Sequence, residues 1–262
     1  MYSDNSNLSG VHKFLRESKA LYPARLTYAQ INDTVRFGPK YESEKVKTSI
    51  RRKINNRNYR KKLIISEDEV SRQQEREFHE PKLISIIVPL YNTKKEFLIE
   101  MIESVINQTY DNYQLCLADG SDEDNSHVEK IVKSYIKNNT KIKYKKLKEN
   151  GGISVNTNEC IKLATGDYIL LFDHDDVLHE SLLYELMDRI EETKADFIYT
   201  DEAIFTNDIT KPFGYHFKPD YSLHALRSNN YICHASCFSR ELFEKAGDFR
   251  KEFDGSQDHD LI

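Results

Sequence analysis

The chain of 262 residues contains no apolar run of the roughly 18 residues that a membrane-crossing helix requires. Its opening residues, MYSDNSNLSG, are polar and lack the basic-then-apolar layout of a signal peptide, so a cytoplasmic protein is expected. Cysteine is scarce. The four present, Cys116, Cys160, Cys233 and Cys237, fall mostly inside apolar runs, which suits reduced core thiols. Cys233 and Cys237 flank His234, but this C-x-x-x-C has no second ligand pair after it, which argues against structural zinc. Also missing is G-x-G-x-x-G behind the first predicted strand, so a Rossmann dinucleotide site is disfavoured.

What is present suits a soluble protein with a very polar surface: 39% apolar and 31% charged residues, in a length that allows one large domain with an appendage. The net charge of −5 conceals an asymmetry. Residues 1–80 hold 17 Lys and Arg against 11 Asp and Glu, whereas the rest holds 21 against 32. Nine basic residues and no acidic one lie between Lys45 and Lys62. This stretch reads either as a peripheral contact with an anionic membrane on the inner face of the cell or as a solvated helical arm. Nucleic acid is disfavoured, because Tyr59 alone interleaves there as a stacking platform.

Organisation changes near Pro81. Before it, VHKFLRESKALY and SEDEVSRQQEREF have helical spacing, and Ser66 followed by Glu69 suggests a capping box. Residues 1–80 are therefore expected to form a helical, basic extension. From 81 to 262 strands alternate with helices. Strands are expected at 83–91, 113–120, 142–148, 167–173, 197–205 and 231–239, and helices at 96–108, up to about 137, around 153–164 and 180–192, with a short one ending at Gly247. Repeated βα units with near-continuous apolar strands predict a three-layer α/β/α sandwich around a mainly parallel sheet.

In such sheets ligands collect beyond the carboxyl ends of the strands. Those ends carry Pro89-Leu90-Tyr91-Asn92, Asp119-Gly120-Ser121-Asp122, Asn150-Gly151-Gly152 and Asp173-His174-Asp175-Asp176. The last group follows the apolar run YILLF. Three carboxylates in four residues repel one another, and a hard divalent cation, Mg²⁺ or Mn²⁺, bridging to a diphosphate relieves that repulsion. On an extended strand Asp173 and Asp175 share a face, while Asp176 suits a helix N-terminus. Asp119 can accept from the imide N–H of a pyrimidine, or merely cap its own turn; Tyr91 offers a stacking face. The Asn150-Gly151-Gly152 turn opens a helix whose free N–H groups can meet a phosphate, with Asn158 further along it. Asp258, behind the Gly255 loop, can act as a general base.

Taken in order, SIIVPLYN, SVINQTYDNYQLCLADGSD, NGGIS with Asn158, GDYILLFDHDDVLHESLL, YTDEA, FKPDYS, NYICHASCFSRELFEKAGDFR and FDGSQDHDL resemble family 2 glycosyltransferases of the GT-A fold. The resemblance runs from about Leu83 to Leu261 and is nearest to bacterial enzymes building O-antigen, capsule or rhamnose-rich polysaccharides. It implies an inverting transferase that moves a sugar from a UDP- or dTDP-sugar to an acceptor hydroxyl on a glycan or lipid-linked glycan. It implies that Pro89, Tyr91 and Asp119 hold the nucleoside, that Asn158 and Asp201 lie on the donor side, and that Asp173 and Asp175 form the D-x-D pair. Asp175 would be the direct metal ligand, Asp258 the catalytic base, and Glu202 and His234 would face the sugar or acceptor.

The sequence also departs from the family pattern. Ala118 stands where many relatives have a first aspartate, and Asn156-Thr157-Asn158 replaces Ala-Arg-Asn, so the helix lacks a basic contact to the diphosphate. Asp248 stands where a second glycine is common, and relatives continue beyond the QDHDL string with helices that shape the acceptor side. Two alternatives compete. DHDDVL resembles the haloacid-dehalogenase phosphatase signature, though that motif ends a first core strand and here three βα units precede it. A noncatalytic or incomplete sugar-nucleotide-binding domain is the other.

Overall fold

A computed structural model describes residues 63–262 with the exception of 207 and 210. The helical segment VHKFLRESKALY and the basic stretch from 45 to 62 lie outside the described residues. Among those described, no helix is long and apolar enough to cross a membrane.

The first described helix, α1 (Glu67–Gln74), starts as expected: Ser66 Oγ accepts from the Glu69 N–H at 3.2 Å. Only half of the capping box forms, because the Glu69 carboxylate turns to Arg72 and Gln73 instead. Gln73 is buried and accepts from Thr109 Oγ1 at 2.7 Å, so α1 packs on the sheet domain. The compact unit that holds the sheet begins at Leu63, and Pro81 stands just before the first strand.

Strands β1 (Ile84–Leu90), β2 (Tyr113–Asp119), β3 (Ile142–Lys146) and β4 (Tyr168–Leu171) run parallel, separated by helices α2 (Lys95–Ile106), α3 (His127–Ile136) and α4 (Ile153–Ile161). After α5 (Leu182–Thr193) the chain adds β5 (Phe197–Tyr199). The remaining elements are a hairpin of β6 (Glu202–Ile204) and β7 (Gly214–His216), helix α6 (Leu223–Ser228), β8 (Ser236–Ser239), and helices α7 (Arg240–Ala246) and α8 (Gln257–Leu261). The main sheet has the order β3-β2-β1-β4-β8-β5, with β8 antiparallel to both of its neighbours.

Period-two alternation sorts the strand side chains into two cores. Ile84, Ile86, Val88, Leu115, Leu117 and Leu170 face one way, with the buried residues of α2, α3 and α5. Ile87, Cys116, Ala118, Ile169 and Leu171 face the other way, with Cys160, Phe243 and Phe249. Helices thus cover both faces, which gives the expected three layers. Each fully buried Ile or Leu contributes about 1.5–3 kcal/mol. Strand β3 departs from the apolar pattern: only Ile142 is buried, and its lysines blunt the sheet edge.

Four expectations need correction. The predicted strand 197–205 breaks after Tyr199, where the chain leaves the main sheet and pairs β6 with β7 instead. The predicted strand 231–239 is regular only from Ser236; residues before it form an irregular segment in which Cys233 has φ +45°. Strand β4 ends at Leu171 and the chain turns at His174-Asp175, so strand alternation does not govern Asp173 and Asp175. Helix α5 begins only at Leu182, which leaves Asp176 outside its first turn.

Candidate functional site

The strand order reverses between β1 and β4, because the chain builds outward to β3 and then returns to the other side of β1. A crevice opens at such a switch point. Here it is deepened because β1 outruns its partner: the β1–β4 ladder stops at Ile87 and Leu171, while β1 continues to Leu90. Past that point β1 has β2 as its one neighbour, which is where a proline lacking an N–H is tolerated, and Pro89 occupies it. A small cavity there, about 20 Å³, is lined by Pro89, Phe172, Asp173, His234, Asp258, Thr157 and Phe249.

His234 reaches this place by register. Strand β8 pairs antiparallel to β4 with Ser236 opposite Leu171. Two residues on from Leu171 and two back from Ser236 lie Asp173 and His234, and His234 Nε2 is 3.1 Å from Asp173 Oδ2. Burial pushes the Asp173 carboxyl up, but the hydrogen bond and charge of His234 outweigh it and hold it below the usual range. Burial likewise pulls the imidazole down, and Asp173 more than restores it. Nδ1 of His234 and Nδ1 of His174 are both buried without a hydrogen-bond partner among the described residues.

The acidic turn has the donor set of a hard cation. Asp176 is raised by desolvation and then by the charges of Asp173 and Asp175, so the cluster disfavours its own full ionisation. Among the described residues no three His, Cys, Asp or Glu side chains form a metal-holding group. A Mg²⁺-type ion needs only one or two protein carboxylates when substrate phosphates complete its shell, and Asp175, exposed beside Asp173, fits that half-site.

Asp258, at the start of α8, also lines the cavity. Asn230 Nδ2 donates to its Oδ2 at 2.9 Å, which fixes the carboxylate and leaves Oδ1 for a substrate proton.

At the nucleoside end, Tyr91 is 46% exposed at the tip of β1, available to stack on a base. Asp119 is fully buried. Its Oδ1 accepts from the Ser121 N–H at 2.8 Å, the self-capping turn that the sequence allowed, and its Oδ2 accepts from Tyr144 Oη at 2.8 Å. Lys146 Nζ lies 3.3 Å from the same oxygen. A base read by Asp119 would therefore share the carboxylate with these three groups.

Other expected residues have different work. Asn158 spends both ends of its amide on Phe249, donating to the carbonyl at 2.8 Å and accepting from the N–H at 3.0 Å. It braces the loop after α7. The start of α4, expected to meet a phosphate, is taken by Asp254, whose Oδ1 accepts from the Ser154 N–H at 3.1 Å. Asp201 Oδ1 accepts from the Lys218 N–H at 2.7 Å, and Glu202 Oε1 pairs with His216 Nδ1 at 2.8 Å. Both sit on the β6–β7 side rather than among the cavity-lining residues. Sequence reasoning missed Asn230 and Lys218; the only hints were a polar residue before YICH and a lysine set between Phe217 and Pro219. Cys116, Cys160 and Cys237 are buried free thiols, as expected, and Cys233 is half-buried.

Comparison with known proteins adds three findings. Residues 85–247 match the family described as Glycosyl transferase family 2. The chain is 38% identical over 181 residues to the uncharacterized protein y4gI of Sinorhizobium fredii, covering 69% of this chain and 20% of that one. It is 29% identical over 183 residues to the O-antigen biosynthesis protein RfbC of Myxococcus xanthus, covering 69% of this chain and 14% of that protein. The chain thus spans a fifth or less of these curated relatives. Its fold resembles S. aureus TarS 1-349 solved in complex with UDP, with TM-score 0.54 and 21% identity over 67% of this chain and 52% of that one.

Proposed function

The chain belongs to glycosyl transferase family 2, and on that premise we propose that it transfers a sugar from a nucleoside diphosphate sugar to an acceptor hydroxyl in bacterial cell-surface polysaccharide synthesis. The single observation that supports this is the convergence at the switch point of Pro89, Asp173, His234 and Asp258 from four separate stretches of sequence. A donor of the UDP or dTDP type fits the exposed Tyr91 ring and the buried Asp119 at one end of the rim. The acceptor is a glycan or lipid-linked glycan.

The residues divide the work by position. Asp175, with Asp173, would hold Mg²⁺ or Mn²⁺, which as a Lewis acid offsets charge on a departing diphosphate. His234 sets an imidazole nitrogen beside Asp173, and helix α4 has no basic side chain of its own. Asp258 takes the proton of the acceptor hydroxyl as its oxygen attacks the anomeric carbon. The bond from that carbon to the diphosphate breaks, and its electron pair leaves with the diphosphate. Attack opposite the leaving group inverts the carbon, so one catalytic carboxylate suffices and no covalent intermediate is needed.

A thermal-shift screen of UDP-, dTDP- and GDP-sugars, each with and without Mn²⁺, followed by hydrolysis assays on the hits, tests this reading. At least one donor should stabilise the chain and be slowly cleaved to the nucleoside diphosphate. Stabilisation by none of them would overturn it.

A further inference from the structure

Lys218 lies in the FKPDYS string just after β7, and its ammonium has no part in the reaction proposed above. Its side chain is only 1% exposed. A lysine is almost never buried to that degree unless paired. Nζ donates to the His234 carbonyl at 2.6 Å and lies 3.6 Å from Glu202 Oε2. Burial pulls this amine below its usual range, and the Glu202 charge works against that pull.

The chain on both sides of these contacts is tied to the same point. Asp201 holds the Lys218 N–H, and Glu202 holds His216, so both strands of the β6–β7 hairpin converge on the lysine. Across from them, Ala235 and Thr200 exchange two hydrogen bonds: the Thr200 N–H donates to the Ala235 carbonyl at 3.2 Å and the Ala235 N–H to Thr200 Oγ1 at 3.4 Å. Between Ala235 and the left-handed Cys233, the His234 carbonyl points at the ammonium rather than into a ladder. The peptide that aims the imidazole is therefore held at its carbonyl by a buried cation and at its N–H by Thr200.

We propose that Lys218 is a positioning residue: its ammonium grips the His234 carbonyl so that the imidazole meets Asp173 in the donor cleft, with Glu202 as the counter-ion. Glu202 then acts inside the protein rather than on the acceptor. The role rests on the glycosyl-transfer reading of the same cleft. Lys218→Met keeps the apolar stem and deletes the charge. It leaves a buried carbonyl without its donor, frees the 233–235 peptide to turn, and takes the ring away from Asp173.

Two measurements on the full chain test it. In the first, kcat is compared for the wild type, Lys218→Met, His234→Ala and the double variant. Each single change should lower kcat by between about tenfold and a hundredfold. The double variant should be within about twofold of His234→Ala, because residues acting through one group are not additive. Independent, multiplying losses would overturn the role. In the second, the His234 ring signal in a ¹⁵N–¹H spectrum, assigned by its loss in His234→Ala, should move in Lys218→Met. An unmoved signal would overturn the role. If Lys218→Met does not fold, Glu202→Gln carries the same spectrum, with a moved ring signal expected and an unmoved one overturning. If the wild type transfers sugar from no donor, the function proposed above fails, and the ring signal alone then decides for or against Lys218.

Discussion

Asp258 lines the cleft and Asp175 stands on the turn beside Asp173, and on the function proposed above they have different work. Asp258 is held through one oxygen by the Asn230 amide, which preserves its aim and leaves the other oxygen to accept a proton. Asp258→Asn keeps that shape and removes the basicity, so transfer should fall by about 10²–10⁴-fold. Donor binding, followed by calorimetry, should be unchanged; unchanged turnover would remove Asp258 from the role. Asp175 is exposed on the turn after β4, beside the charges of Asp173 and Asp176. Asp175→Ala should weaken nucleotide binding in the presence of Mn²⁺ and leave the metal-free affinity where it was. The same titration with and without chelator reads both numbers.

Helix α4 carries its predictions as a unit. Its cap, Gly152, has φ +95°, and a Cβ there would meet Asp254 Oδ2 at 2.3 Å. Gly152→Ala imposes both a left-handed residue and a clash with the carboxylate that caps the helix. It should cost about 1–3 kcal/mol, seen as a lower midpoint in urea unfolding. Further along, Asn158 bridges to Phe249, and Asn158→Ala strands a backbone N–H and carbonyl there. The expected cost is again about 1–3 kcal/mol, with donor KM little changed. A raised KM at unaltered stability would instead return Asn158 to the donor side. The helix was legible in the sequence from its spacing, but its use was not. Asp254 and Phe249 are about a hundred residues distant from their α4 partners in sequence, and no local pattern announces a cap supplied from so far away.

For the molecule as a whole, a ligand that binds only the folded state raises its melting temperature. A nucleoside diphosphate with Mn²⁺ at a hundred times its Kd stabilises by about 2.7 kcal/mol, or about 5–10 °C for a unit of this size. Chelation should abolish the rise if the acidic turn shares the cation with the diphosphate, and a rise that survives chelator would argue for a nucleotide site independent of metal. The sheet behind that site is mixed, with β8 running against β4, and this reversal has a functional consequence. An antiparallel neighbour brings the residues before β8 to the carboxyl end of β4, and thereby sets His234 against Asp173.

Near-continuous apolar strands and helical spacing were enough to determine the alternating elements, the three layers and the rim on which the acidic turn lies, because burial on two faces dictates composition residue by residue. The motif strings likewise placed Asp173, Asp175 and Asp258 in one family pattern. Strand direction, the split of 197–205 between two sheets, the bond from Tyr144 to Asp119, the diversion of Asn158 to Phe249 and the burial of Lys218 under His234 were decided by tertiary structure alone. Each depends on which distant backbone arrives alongside, and a side chain's hydrogen bonds go to whatever polar group packing leaves within reach.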